Sequence, residues 1–352
     1  MRNLRCGFLA HSLVVLGIVA GAGCGKDVSH TTTPDSPPAV SDAPPLVGDR
    51  YGLTWGPISV PPMTESTQCI WLKLSNTTQI KVHQIHNVLT DGSHHLIVYK
   101  DDMDTTEQTT PMPCQPFTGA LNASGMISPI VITQKKDDEI TLPDGVAYTF
   151  APGQMIKLEL HYINASTTDT KMIGATVDFY GADPATIHDE AAILFTGTVD
   201  ISLPPNTMTT VHQFFTVPSY LDLSQANIFA VTGHEHQLGL NATASVGASK
   251  TGTLTPVYNP NPFVWSEPAT QVQTPAFSIP KGGGLDMTCT WFNSTANTVT
   301  FGEKTTNEMC FFWMYYYPSQ GSKVCFHTEQ IGGANGLNFC CPGDSLCSMA
   351  PM

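Results

Sequence analysis

Charge is scarce in this chain. Asp, Glu, Lys and Arg make up 12% of its 352 residues, with 15 basic against 29 acidic. A net charge of −14 argues against a nucleic-acid partner, which is held by Lys and Arg on phosphates. Long apolar runs are also missing. After Phe8–Ala20, no run is long enough to cross a bilayer. Amphipathic helices longer than two turns are absent too, and "DPATIHDEAAILF", residues 183–195, is the best short candidate. What is present is 41% hydrophobic residues, enough for a core, with 29 Gly and 27 Pro. That mixture suits short strands and turns.

The first residues, "MRNLRCGFLAHSLVVLGIVAGAGC", place Arg2 and Arg5 before an apolar run and small residues. This pattern reads as an export signal over 1–24. Gly21-Ala22-Gly23-Cys24 resembles a bacterial lipobox, with Gly21 where Leu is usual. A single membrane anchor is the other reading, and a mostly apolar run of about 13 residues is short for it. The expected location is the bacterial cell envelope, as an outer-membrane lipoprotein, or outside the cell. Any membrane association runs through that lipid. Residues 25–48, rich in Ser, Thr, Pro and Asp, read as a flexible tether.

Ten cysteines fit an exported protein. Cys6 leaves with the signal and Cys24 is the lipid candidate. The remaining eight (Cys69, Cys114, Cys289, Cys310, Cys325, Cys340, Cys341 and Cys347) suggest four disulfides. Four of them crowd the end of the chain, as a disulfide knot over 321–352 or, alternatively, a cysteine metal cluster.

Strand-like runs recur between turn signals: "SHHLIVYK", "GQMIKLELHYIN", "GATVDFYG", "NIFAVTGHEHQLGL", "LDMTCTWFN" and "MCFFWMYYYP". The reading is all-β, as sandwiches or jelly rolls. A boundary near 183–191 leaves units of similar size, 49–190 and 191–320.

Twelve histidines are present, and they cluster. His234 and His236 in "GHEHQ" share one face of a strand, with Glu235 pointing away. Such a pair offers two imidazoles to one ion, or is only a polar strand face. His94 and His95 fall on opposite faces of a regular strand. They reach one ion only at a strand end or bulge, and "TDGS" before them is a turn signal. His161 stands alone in "KLELHYIN", where a structural role is the plain reading. Met309 could be a soft thioether ligand favouring Cu(I) or core filler.

Taken in order, five stretches resemble the copper type II, ascorbate-dependent monooxygenases, the group of peptidylglycine α-hydroxylating monooxygenase and dopamine β-monooxygenase. They are "SHHLIVYK", "LPDGVAYTFAPGQMIKLELHYIN", "SLPPNTMTTV", "TGHEHQLG" and "GGLDMTCTWFNST…TTNEMCFFWMYYYP", spanning about residues 65 to 325. The resemblance implies two tandem jelly-roll β-sandwich domains, with one copper on each, facing a solvent-filled gap. It implies that His94, His95 and His161 hold the copper that passes electrons. It implies that His234, His236 and Met309 hold the copper where O2 is used. It further implies the disulfides Cys69–Cys114 and Cys289–Cys310.

Some positions depart from the family. A second-domain cysteine partner for Cys325 is missing, so Cys325 is expected to pair within the tail. Peptide-hydroxylating members carry an arginine at the position of Thr232, and Asn and Tyr where this chain has Phe311 and Trp313. Those groups hold a substrate carboxylate. Thr232, Phe311 and Trp313 therefore point away from a peptide C-terminus and toward an apolar or aromatic small molecule. The implied activity is hydroxylation of a C–H bond, using two coppers per chain, O2 and a one-electron reductant such as ascorbate. The alternative is a surface lipoprotein that binds or scavenges copper without turnover.

Overall fold

The computed structural model describes residues 48–117, 125–330 and 336–349. The export signal and all but the last residue of the tether lie outside them. The described residues form one compact unit.

The described chain is nearly all strand. In the first half, one sheet runs Arg50–Val60, Lys171–Ala182, Ile80–Leu89, Val146–Phe150, Asp189–Glu190, with Asp137–Thr141 also on Ile80–Leu89. Its partner runs Gln108–Pro113, Thr64–Lys73, Met155–Asn164, Ser93–Asp101, Ile127–Thr133. In the second half, one sheet runs Gln271–Phe277, Asn227–His234, Cys310–Tyr317, Ala192–Thr198, Lys323–Thr328, Leu337–Cys341. Facing it are Thr207–Thr216, Gly284–Asn293, Gly239–Gly247 and Leu254–Tyr258. Tandem sandwiches result, as expected from the turn-punctuated strand runs.

Strand Cys310–Tyr317 explains how the halves meet. Cys310, Phe312, Met314 and Tyr316 join the core of their own sandwich. Phe311, Trp313 and Tyr315 join a core that extends into the first half. Side chains alternate faces along a strand, so "CFFWMYYY" is apolar throughout because both its faces are buried. Neighbouring Ala192–Thr198 divides the same way: Ile193 and Phe195 on one side, Ala192 and Leu194 on the other. Each large side chain so covered contributes about 1.5–3 kcal/mol. Polar bonds cross the same surface. Ile132 N donates to Tyr315 Oη (3.2 Å), and Ser322 Oγ donates to Pro129 O (2.8 Å).

Four disulfides join the eight cysteines: Cys69–Cys114, Cys289–Cys310, Cys325–Cys340 and Cys341–Cys347. Cys325 thus pairs within the tail, and the tail is a disulfide cluster rather than a metal site. The tail is also structural, since Lys323–Thr328 pairs in parallel with Ala192–Thr198.

The helix candidate 183–195 does not form. Pro184–Thr186 is one 3-10 turn, capped by Asp183, whose side chain accepts from Ala185 N. Asp189–Glu190 and Ala192–Thr198 are strands. The apolar residues of "AAILF" are consecutive rather than spaced by three or four, and a two-sided sheet buries such a run.

Candidate metal centre

Three histidines converge at one end of the first sandwich. The turn Thr90–Ser93 closes with Ser93 N donating to Thr90 O at 3.0 Å. Gly92 sits at φ +95, where an added Cβ would meet Ile173 Cδ1 at 2.7 Å, so only glycine fits. The register against Met155–Asn164 then slips between Ser93 and His95. His94 is the extra residue of this irregularity, and adjacent imidazoles consequently reach one place. His95 lies directly opposite His161. Ring centroids are 5.3 Å apart for His94–His95, 5.3 Å for His94–His161 and 5.0 Å for His95–His161. One nitrogen of each ring lies within 4.8 Å of those of the other two.

The second group is built differently from the sequence expectation. Strand Asn227–His234 ends at His234. His236 lies beyond it, in a turn where Gly239 N donates to His236 O at 2.9 Å. The two rings nonetheless meet, with centroids 5.0 Å apart. Met309, 6% exposed, directly precedes strand Cys310–Tyr317, beside the Cys289–Cys310 disulfide. It lines the same cavity as His234 and His95.

Glu235 is fully buried, and its Oε1 accepts from Thr290 N at 3.1 Å. Burial and the nearby Glu308 push its carboxyl up to about 10, so it is protonated at neutral pH. Glu308 accepts from His236 N (2.9 Å) and Leu238 N (2.8 Å), and burial raises it to about 7. Together the two carboxyls brace the turn that carries His236.

The groups are not separated by a solvent-filled gap. His94 lies 6.4 Å from His234 and 6.2 Å from His236, and His95 lies 6.2 Å from His234, centroid to centroid. The apolar interface described above draws the sandwiches together at this point. Between them is a cavity of about 30 Å³, lined by His95, His234, Met309, Trp313, Phe195 and Glu303 among others. It has room for about two waters. Trp313 therefore lies in the cavity wall, while Phe311 stacks on Phe195 at 4.9 Å. Thr232 is buried away from the wall and shares a 2.8 Å hydrogen bond with Thr270.

The outer hydrogen bonds fit a metal. His161 Nε2 bonds Glu65 Oε1 at 3.0 Å, His234 Nδ1 bonds Gln134 Oε1 at 2.9 Å, and His236 Nδ1 bonds Asn307 O at 3.1 Å. In each ring one nitrogen is anchored, fixing the tautomer and leaving the other free to ligate. His94 Nε2, His95 Nδ1 and His236 Nε2 are buried with no hydrogen-bond partner. Such orphaned acceptors are costly without a ligand. Burial lowers His94, His95 and His234 well below the ordinary imidazole range, and His236 to about 4. All four are neutral at pH 7, the state a metal requires. The carboxyl of Glu65 is held down at about 2, first by its hydrogen bond to His161. Glu65, Gln134 and Glu308 were not singled out from sequence; Glu65 and Gln134 stand in no local motif, and Glu308 is marked only by its place beside Met309.

Among solved structures, this chain has slight likeness to a chain of the triple jelly-roll turret assembly of an archaeal virus. The identity is 8%, the TM-score 0.22, and the match covers 78% of this chain and 60% of the viral one, less than two thirds of it. A protein from Parabacteroides distasonis described as secreted matches at 8% identity and TM-score 0.17, over 81% of this chain and 86% of that one. Residues 189–332, the second sandwich with its two histidines and methionine, match the family described as copper type II ascorbate-dependent monooxygenase, C-terminal domain. That segment, about two fifths of the chain, is similar to the C-terminal domain of the copper type II ascorbate-dependent monooxygenases.

Proposed function

We propose that the protein is a copper-dependent monooxygenase that hydroxylates a C–H bond of a small organic molecule. One observation carries the reading: three histidines on one sandwich meet two histidines and a methionine on the other, with unpartnered nitrogens turned inward. His94, His95 and His161 would hold one copper. His234, His236 and Met309 would hold the second, the thioether favouring Cu(I). The two ions would supply the one-electron chemistry by which O2 hydroxylates substrate, with ascorbate or another one-electron donor as reductant.

The protein's own residues do the rest. Glu65, Gln134 and Asn307 orient imidazoles. Ile97, Phe117, Ile132, Phe195 and Trp313 make the cavity wall largely apolar. At about 30 Å³ the cavity is smaller than a small organic molecule, so a substrate would enter as side chains of its wall move aside. An apolar or aromatic molecule suits those walls. Four disulfides fit an exported protein, and a lipid on Cys24 would tether it to the cell envelope. Among the described residues, no helix is long and apolar enough to cross a membrane.

Copper quantification followed by ascorbate-driven O2 uptake, against small aromatic amines, phenethyl compounds and glycine-extended peptides, tests this reading. Two coppers per chain with substrate-coupled uptake is the expected result. Two coppers without turnover would indicate a copper-scavenging protein, and no copper would end both readings.

A further inference from the structure

Gln134 sits just after strand Ile127–Thr133 of the first sandwich and is 4% exposed. Neither of its bonded partners belongs to that sandwich. Its Oε1 meets His234 Nδ1 at 2.9 Å, and its Nε2 donates to Trp265 O at 2.8 Å. Trp265 lies between strands Leu254–Tyr258 and Gln271–Phe277, and its ring packs on His94 at 6.0 Å. One amide thus joins an imidazole of the second sandwich to the segment whose indole touches an imidazole of the first.

The chemistry of the amide fixes what each end does. A carboxamide oxygen only accepts, so His234 Nδ1 must carry the proton, and Nε2 is the nitrogen left for a ligand. The amide NH2 only donates, and the Trp265 carbonyl takes it. The Trp265 carbonyl can only accept, so it holds the NH2 on its own side and leaves the amide oxygen facing His234.

We propose that Gln134 is a positioning residue for the second metal site: a first-sandwich side chain that sets the tautomer of His234 and completes that site only when the sandwiches are docked. This rests on the assignment of His234 as a copper ligand. It adds that the second site is not self-sufficient. Its affinity for metal depends on the partner sandwich, and by thermodynamic reciprocity metal at His234 favours docking.

The test uses the full chain with Gln134→Leu and Gln134→Glu. Leu removes both hydrogen bonds at similar volume. Glu keeps an acceptor for His234 Nδ1 but loses the donor to Trp265. Cu(I) titration against a chromophoric chelator reads metal affinity. Nitrogen-15 shifts of the metal-free protein read the His234 tautomer. In Gln134→Leu, one of two copper sites should weaken by about 10–100-fold while the other is unchanged, and His234 should become a mixture of tautomers. Gln134→Glu should restore the single tautomer and most of the affinity. Wild-type affinity at both sites with an unshifted His234 in the Leu variant would overturn the proposal, as would equal weakening of both sites. If Gln134→Leu fails to fold, the Glu variant decides: loss of the single tautomer there rejects the proposal. If wild-type protein binds no copper, the functional reading fails, and the His234 tautomer alone still decides the role of Gln134.

Discussion

At His161 the two nitrogens of one ring have separate tasks. Nε2 is spent on Glu65, and Nδ1 is left to face His94 and His95. The same division at His236 makes a sharp expectation: His236→Ala or Met309→Ala should abolish ascorbate-driven O2 uptake while circular dichroism stays that of the folded protein. Retention of full, substrate-coupled uptake in either variant would remove the second site from the reaction. A pH effect follows as well. His234 is already neutral, and His236 holds its proton only below about 4. Between pH 7 and pH 6, copper affinity at that site should change less than about twofold, where two ordinary imidazoles of pKa about 6.5 would lose about tenfold. Chelator competition at the two pH values measures this. The histidines themselves were visible in the sequence because His-His and His-x-His are local patterns. Glu65 and Gln134 were not, because each is far along the chain from the histidine it orients and belongs to no pattern. Whether His94 and His95 could share an ion depended on a bulge, and the turn signal "TDGS" did foretell it.

At the scale of a strand, Met155–Asn164 carries three polar residues on one buried face. His161, Glu159 and Lys157 alternate along it, opposite His95, Ile97 and Tyr99. Lys157 and Glu159 have no exposed surface; Lys157 Nζ donates to Glu159 Oε2 at 3.2 Å, and Tyr99 Oη donates to the same oxygen at 2.9 Å. Glu159→Leu would leave a buried ammonium without its carboxylate and should cost about 3–5 kcal/mol in urea unfolding. The strand pattern "KLELHY" shows the alternation plainly. It does not show that its polar face is buried, because that depends on the second sandwich lying against it. The sequence likewise suggested a single strand carrying both His234 and His236. Instead Glu308 braces a turn there by accepting from His236 N and Leu238 N, while Glu235 ties the turn to Thr290 N of the neighbouring strand. Opening Cys289–Cys310, which closes 21 residues of chain, should cost about 3 kcal/mol and loosen Met309 beside it.

At the scale of the molecule, two sets of side chains make the metal-free protein sensitive to acid at different pH. The buried imidazoles have folded pKa values below the ordinary 6.5. At these imidazoles the unfolded chain therefore binds more protons below pH 6.5, and their contribution is lost from there downward, for His236 until about pH 4. The raised carboxyls of Glu235 and Glu308 act oppositely, holding protons in the fold that the unfolded chain gives up above pH 4.5. Glu65 acts lower. Its folded value of about 2 lies under the ordinary 4.5, so its contribution is complete above 4.5 and disappears as pH falls toward 2. Glu65→Gln should reduce the loss between pH 4.5 and 2 and leave the imidazole contribution in place, as read by thermal melts across pH.

Strand Cys310–Tyr317 belongs to two cores at once, with Phe311, Trp313 and Tyr315 on the side that the first sandwich covers. Cut out as a separate polypeptide, residues 189–332 would present that aromatic row to water and would be sticky in proportion. The unit to express in the laboratory is therefore the pair.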